Sequence, residues 1–188
     1  MNQKVCTIPT VLTMFRLGFA LTVSPFLLIR YLPQGDYYSS KLLAVMMFIL
    51  VLTDFLDGYL ARACNTVTSF GKFLDPLADK CLVGGTLLVL VYLKRIVLIG
   101  PVIIIAREII ISIIRYSAAQ LHGELPVNKW GKWKATVQYG YLIYVIGTPW
   151  IPAYDFFIET TLLIVTILIT MLSAFFYIKK FFKLRNKG

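Results

Sequence analysis

Apolar residues in this chain come in long blocks. They do not alternate as in a half-buried strand or form the narrow stripe of a soluble helix. Six blocks approach the roughly 20 residues a helix needs to cross a bilayer. They cover about 10–30, 42–62, 76–93, 98–118, 135–150 and 157–178. The fifth is short and runs into Pro149 and Pro152. Arg16 interrupts the first block. That argues against a cleavable leader with an unbroken apolar core and predicts a helix near the membrane interface for its front part. No repeat, low-complexity tract or long linker divides the chain, so a single membrane domain over 1–188 is expected. The expected fold class is an all-α integral membrane protein with six transmembrane helices and a cytoplasm-facing polar cavity.

Composition narrows the choice further. Of 188 residues, 59% are apolar and 15% are charged, against roughly 25% charged in soluble domains. A soluble fold of this length could not bury so much apolar surface. The same bias excludes disorder, collagen, coiled coil and a disulfide-rich scaffold. The net charge of +10 would suggest nucleic acid in a soluble chain. In a membrane chain it fits basic loops facing anionic lipid, and no nucleic-acid partner is expected. Cys6, Cys64 and Cys81 form no CxxC, and His122 is the only histidine, so neither a disulfide framework nor a zinc site is expected.

Basic residues set the orientation. With both termini on one side, that side holds twelve of the nineteen Lys and Arg residues, five of them in the tail KKFFKLRNKG. The other side holds Arg30, Lys41, Lys94 and Arg95, while Arg16, Arg107 and Arg115 fall inside blocks. The asymmetry predicts a multi-pass protein of the inner, cytoplasmic cell membrane, with both termini and the polar loops in the cytoplasm. Trp130, Trp133, Tyr139, Tyr141 and Tyr144 are expected to form an interface belt.

Four of the nine acids, Asp54, Asp57, Asp75 and Asp79, lie within 26 residues and flank the loop between blocks two and three. Spacings of three and four put each pair on one helix face. Asp75 before Pro76 suits an N-cap followed by proline at the first helical position. Four carboxylates crowded at a membrane stay ionised only with cations to neutralise them. Oxygen-only ligands favour Mg²⁺, Mn²⁺ or Ca²⁺, and two such ions commonly clamp a transferring phosphoryl group. Helix caps and salt bridges to Arg62, Lys72 and Lys80 are the plainer alternative. Gly58 and Ala61 remove bulk from the helix face beside the first pair, either for helix packing or as a slot for a flat group. Gly71 is expected to supply a turn or a close approach, and Arg62 can reach a diphosphate from the same rim.

A second cluster is cationic. Arg107 and Arg115 are eight residues apart on nearly one face of block four. Intramembrane cations face the protein interior or a wet cavity and need an anion. Glu108 is the obvious partner for one of them. Lys132 and Lys134 approach from the next loop, and the surplus charge suits a phosphate-bearing acceptor. Snorkelling of Arg115 and an ordinary positive-inside role for the lysines are the alternatives.

The stretch DFLDGYLARACNTVTSFGKFLDPLAD reads D-x2-D-G-x2-A-R-x8-G-x3-D-x3-D and resembles the signature of the CDP-alcohol phosphotransferases. TIPTVLTMFRL, IIIAREIIISIIR and GKWKATVQ are similar to segments of the branch whose acceptor is glycerol 3-phosphate. Thr7, Thr10, Tyr116 and Ala135 depart from that branch's pattern. The resemblance implies transfer of a phosphatidyl group from CDP-diacylglycerol to sn-glycerol 3-phosphate, with release of CMP. It implies two divalent cations, Mg²⁺ or Mn²⁺, on Asp54, Asp57, Asp75 and Asp79, with Asp79 also the general base. Thr13, Asp54, Gly58, Ala61, Arg62 and Gly71 would contact the CDP lipid. Arg107, Arg115, Lys132 and Lys134 would hold the acceptor phosphate, which places the acceptor region at 107–138. Membrane lipid is the surroundings, and a homodimer is expected. Another acceptor (inositol phosphate, serine or phosphatidylglycerol) remains open within the family. A divalent-cation transport protein is the alternative of a different class.

Overall fold

A computed structural model describes the backbone of residues 14–15, 17–63, 69–120, 129–148 and 154–185. Within these stretches the side chains of residues 54, 57–63, 69–76, 119–120, 129–130, 132, 154–156 and 183–185 are outside the description. The described residues form six α-helices and no strand: α1 (Ser24–Tyr31), α2 (Tyr37–Ala63), α3 (Ser69–Tyr92), α4 (Ile99–Gln120), α5 (Lys129–Gly147) and α6 (Tyr154–Arg185). A π-helical turn, Phe19–Val23, leads into α1, and a 3-10 turn, Leu32–Gln34, leaves it.

The chain divides into two compact units, Met1–Ile96 with Leu142–Ile151, and Val97–Tyr141 with Pro152–Gly188. In the first, α1 packs on α2 and α3, and the π turn packs on α3. Leu28, Met47, Leu82, Leu87 and Leu90 are buried there. Gly35 takes a left-handed φ of 65° after the 3-10 turn, a conformation that suits glycine. Asp36 then caps α2, its Oδ2 accepting from the Ser39 backbone N–H at 3.2 Å and from the Ser39 hydroxyl at 3.1 Å. After α3, Arg95 donates from its Nη2 to the Thr148 carbonyl at 2.7 Å and ties the end of α5 to this turn.

In the second unit α4 and α6 make the most extensive helix pair. Gly100 faces Leu163, Arg107 reaches Ser173 and Arg115 reaches Tyr177. These positions rise together, so the two helices run in the same direction. Ile111, Ala174 and Tyr177 form a buried cluster between them, with Ile114 and Ile178 against it.

One described helical segment, Phe157–Phe182, is long and apolar enough by itself to cross a membrane, with 26 residues that include an 18-residue stretch of mean hydropathy 2.4. Its outer face exposes Ile164, Leu168, Met171 and Phe175. Its inner face buries Thr166, Thr170, Ser173 and Tyr177. Apolar outside and polar inside suits lipid rather than water as the surroundings.

Several local expectations change. α3 begins at Ser69, so Asp75 is not its N-cap and Gly71 lies inside the helix. The helix runs through Pro76, which cannot donate to the helix ladder, and Phe70, Phe73, Leu74 and Leu77 recur at helical spacing in the sequence on both sides of it. Tyr139 and Tyr141 are buried, so they do not belong to an interface belt. Trp133 is exposed, and Trp130 lies outside the described side chains.

Candidate active site

The acidic half of the site falls on two consecutive helices of the first unit. Asp54 and Asp57 lie in the last three turns of α2, and Asp75 and Asp79 lie in the first three turns of α3. Only five residues, 64–68, separate the helices, so all four carboxylates sit at helix ends joined by a short connection. Asp79 is half-buried. The side chains of Asp54, Asp57, Gly58, Ala61, Arg62, Gly71 and Asp75 are outside the described ones, as is Thr13 altogether. The donor set is oxygen only, carried on rigid helices at spacings of three and four. That chemistry fits hard divalent cations.

The cationic half is visible in atomic detail in the second unit. Arg107 is buried on α4 and donates from its Nη1 to Glu108 Oε1 at 2.9 Å. The Lys134 ammonium, buried on α5, pairs with the same carboxylate oxygen. Glu108 therefore holds two cations drawn from two helices. Removing a charge from water costs several kcal/mol unless it is paired and hydrogen-bonded. The shared carboxylate meets that demand for Arg107 and Lys134 together.

The remaining contacts come from α6. Arg107 Nη2 donates to Ser173 Oγ at 2.9 Å. Arg115 Nη2 donates to the Tyr177 hydroxyl at 2.6 Å, and its guanidinium lies 4.7 Å from the Tyr177 ring centroid, within cation–π range. Of the four cations expected to hold an acceptor, Arg107 and Lys134 meet at Glu108, and Arg115 stands further along the same face of α4. The side chain of Lys132 is outside the described ones.

Ser173 and Tyr177 were not singled out from the sequence. A signal was present: Thr166, Thr170, Ser173 and Tyr177 recur at spacings of four, three and four within an apolar span. This is one face of a helix.

A family model described as CDP-alcohol phosphatidyltransferase matches residues 6–178. Three similar proteins bear the name CDP-diacylglycerol--glycerol-3-phosphate 3-phosphatidyltransferase. One, from Haemophilus influenzae, is 41% identical over 70% of this chain and 70% of its own. One, from Wigglesworthia glossinidia brevipalpis, is 40% identical over 70% of this chain and 71% of its own. The third, the second such protein of Arabidopsis thaliana, is 37% identical over 73% of this chain and 63% of its own. With the match running from before the first helix almost to the end of α6, the chain belongs to the CDP-alcohol phosphatidyltransferase family.

Proposed function

We propose that this chain transfers the phosphatidyl group of CDP-diacylglycerol to sn-glycerol 3-phosphate, forming phosphatidylglycerol phosphate and releasing CMP. The relatives named above carry that donor and acceptor in their names. The signature from Asp54 to Asp79 is complete. The observation that carries the acceptor is the cluster around Glu108. Arg107 and Lys134 share the Glu108 carboxylate, Arg115 follows two turns further along α4, and the surplus positive charge suits a phosphate.

Asp54, Asp57, Asp75 and Asp79 would hold two divalent cations, Mg²⁺ or Mn²⁺. Such ions, when bound, neutralise the diphosphate of the donor and stabilise charge on the leaving group. Thr13, Gly58, Ala61, Arg62 and Gly71 would line the place of the CDP moiety. Gly58 and Ala61 leave room for the flat base, and Arg62 adds positive charge. Arg107, Arg115, Lys132 and Lys134 would fix the acceptor phosphate. Asp79 accepts the proton of the acceptor hydroxyl as that oxygen bonds to the phosphatidyl phosphorus. The bond from phosphorus to the CMP oxygen breaks, and CMP leaves with the electron pair.

The same reading takes the chain as one domain with six membrane spans in the inner membrane. Both termini and the catalytic cavity face the cytoplasm, and two copies form a homodimer. Charges lie within two of the longer helices. α4 carries Arg107, Glu108 and Arg115 within its apolar run, and α2 carries Asp54 and Asp57 near its end.

The test is CMP release by purified protein given CDP-diacylglycerol, Mg²⁺ or Mn²⁺, and one acceptor at a time. The expected order places glycerol 3-phosphate far above glycerol, serine, inositol phosphate and phosphatidylglycerol. Preference for another acceptor overturns the acceptor assignment. Absence of CMP release with every alcohol, alongside cation flux in liposomes, overturns the transferase reading.

A further inference from the structure

We propose that α6 forms one wall of the acceptor site, with Ser173 and Tyr177 as positioning residues that aim the guanidinium groups of Arg107 and Arg115 at the acceptor phosphate. This rests on the acceptor reading given above. It adds a helix and two residues to that reading.

Geometry carries the assignment. A free arginine side chain explores many rotamers, and ordering it costs up to about 2 kcal/mol. Arg107 has no such freedom. Glu108 holds Nη1 from within α4, and Ser173 holds Nη2 from across the helix pair. Two anchors on opposite sides fix the plane of the guanidinium. Tyr177 fixes the second guanidinium twice, through its hydroxyl and through its ring face. Ser173 and Tyr177 are 0% and 2% exposed, so neither hydroxyl is there to meet solvent. They lie four residues apart on one face of α6 and thus present two hydroxyls one turn apart.

The same three helices carry further buried polar atoms. Arg107 Nε, Gln138 Nε2 and Thr170 Oγ1 are buried and have no hydrogen-bond partner among the described residues. Each belongs to a different helix. Gln138 lies one turn beyond Lys134 on α5, and Thr170 lies one turn before Ser173 on α6. All three can donate. An unmet buried donor costs about 1–3 kcal/mol, which native proteins rarely tolerate without a use. Three donors flanking one cationic knot call for a ligand rich in acceptor oxygens. A phosphate ester bearing hydroxyls has that chemistry.

The stripe on α6 also separates a hydroxyl bonded within its own helix from hydroxyls bonded across the helix pair. Thr166 turns its Oγ1 back to the Leu162 carbonyl at 2.7 Å, a bond internal to the helix. Ser173 and Tyr177 instead reach across to cations on α4. Thr166 is therefore the built-in control.

The experiment uses the full chain reconstituted with CDP-diacylglycerol and Mg²⁺, with each substrate varied separately. Ser173→Ala and Tyr177→Phe are each expected to raise the KM for glycerol 3-phosphate about tenfold, the loss of one hydrogen bond to a charged group. The KM for CDP-diacylglycerol should stay within about twofold. Ser173→Thr should restore most of the acceptor affinity, and Thr166→Ala should change neither KM. An unchanged acceptor KM in both hydroxyl-deleted variants overturns the proposal, as does an equal rise in both KM values. If Ser173→Ala does not fold, Tyr177→Phe decides alone, because it removes one oxygen and keeps the packed ring. Arg107→Lys separates the two layers of the argument. Should it raise the donor KM and spare the acceptor KM, the acceptor assignment itself fails. Should it raise the acceptor KM while Ser173→Ala and Tyr177→Phe leave it unchanged, only the role of α6 fails.

Discussion

The two charged regions of this protein are assembled in opposite ways. The acidic one comes from a single stretch, with four carboxylates in 26 residues on the adjoining ends of α2 and α3. The cationic one gathers side chains from α4, α5 and α6, with Arg107 bonded to a residue 66 positions away. Their chemistry differs accordingly. On the proposed reading the four carboxylates come together, repel one another and take cations from outside the chain. The cationic region brings its own counter-charge, since Glu108 sits between Arg107 and Lys134. Deleting a carboxylate should therefore mean different things in the two places. In the first it removes chemistry. In the second it strands buried cations.

Asp79→Asn gives the largest expected effect. Loss of the proton acceptor should lower turnover about 10²–10⁴-fold, while CDP-diacylglycerol still binds. Steady-state rates of CMP release, with donor binding measured in parallel, check this. A variant that keeps wild-type turnover removes Asp79 from the chemistry and makes the acidic region a donor-binding device only.

Glu108→Gln comes next, and its readout is stability. The carboxylate lies between two buried cations, and breaking a buried pair typically costs about 3–5 kcal/mol. The thermal midpoint of the detergent-solubilised protein should fall clearly, and Lys134→Met in the same background should recover part of it by removing one stranded charge. If Glu108→Gln unfolds at the wild-type temperature, Glu108 does not hold the two buried cations and the contrast between the two regions disappears.

The contrast also explains what could be read along the chain. The placement of the four acidic residues on the adjoining ends of two consecutive helices was legible, because spacings of three and four are properties of the local sequence. Arg107 was legible as a charge inside an apolar block, and its neighbour Glu108 as the nearest counter-ion. Ser173 and Tyr177 were not, because no periodicity in α6 says which residue of α4 faces it. The stripe of Thr166, Thr170, Ser173 and Tyr177 marks an inward face but names no partner. The start of α3 was misjudged for another reason. Asp75-Pro76 is a strong local start signal, yet the apolar spacing of Phe70, Phe73, Leu74 and Leu77 extends the helix to Ser69. A local start signal is therefore overridden where the helical period continues upstream of it.

A smaller effect probes how rigid the frame of the acidic unit is. A methyl group added at Gly147 would lie 3.0 Å from the Ala44 Cβ. That atom is fixed to the α2 backbone and cannot rotate away. Gly147→Ala should therefore push the end of α5 off α2 and cost about 1–3 kcal/mol, the usual range for overpacking. A lowered thermal midpoint checks this. An unchanged midpoint means that α5 and α2 are not held in close contact here.

The smallest effect concerns the pair that carries the cations. A methyl group at Gly100 would meet Leu163 Cδ1 at 2.8 Å, nominally a worse clash than at Gly147. The obstructing atom, however, is the far end of a flexible side chain. Moving Leu163 off its rotamer costs about 0.5–1.5 kcal/mol. Replacing glycine by alanine within a helix returns up to about 1 kcal/mol. The two nearly cancel, so Gly100→Ala should shift stability by less than about 0.5 kcal/mol. Its kinetic signature should be equally small, because Arg107 lies two turns further along α4 and its bond to Ser173 spans the pair beyond the disturbed contact. Thermal unfolding and the KM for glycerol 3-phosphate are to be measured on the same preparation. A rise in that KM without loss of stability would show that a sub-ångström separation of α4 and α6 near Gly100 reaches the Arg107–Ser173 bond. In that case the two helices move as rigid rods, and the acceptor site is set by their spacing rather than by local rotamers.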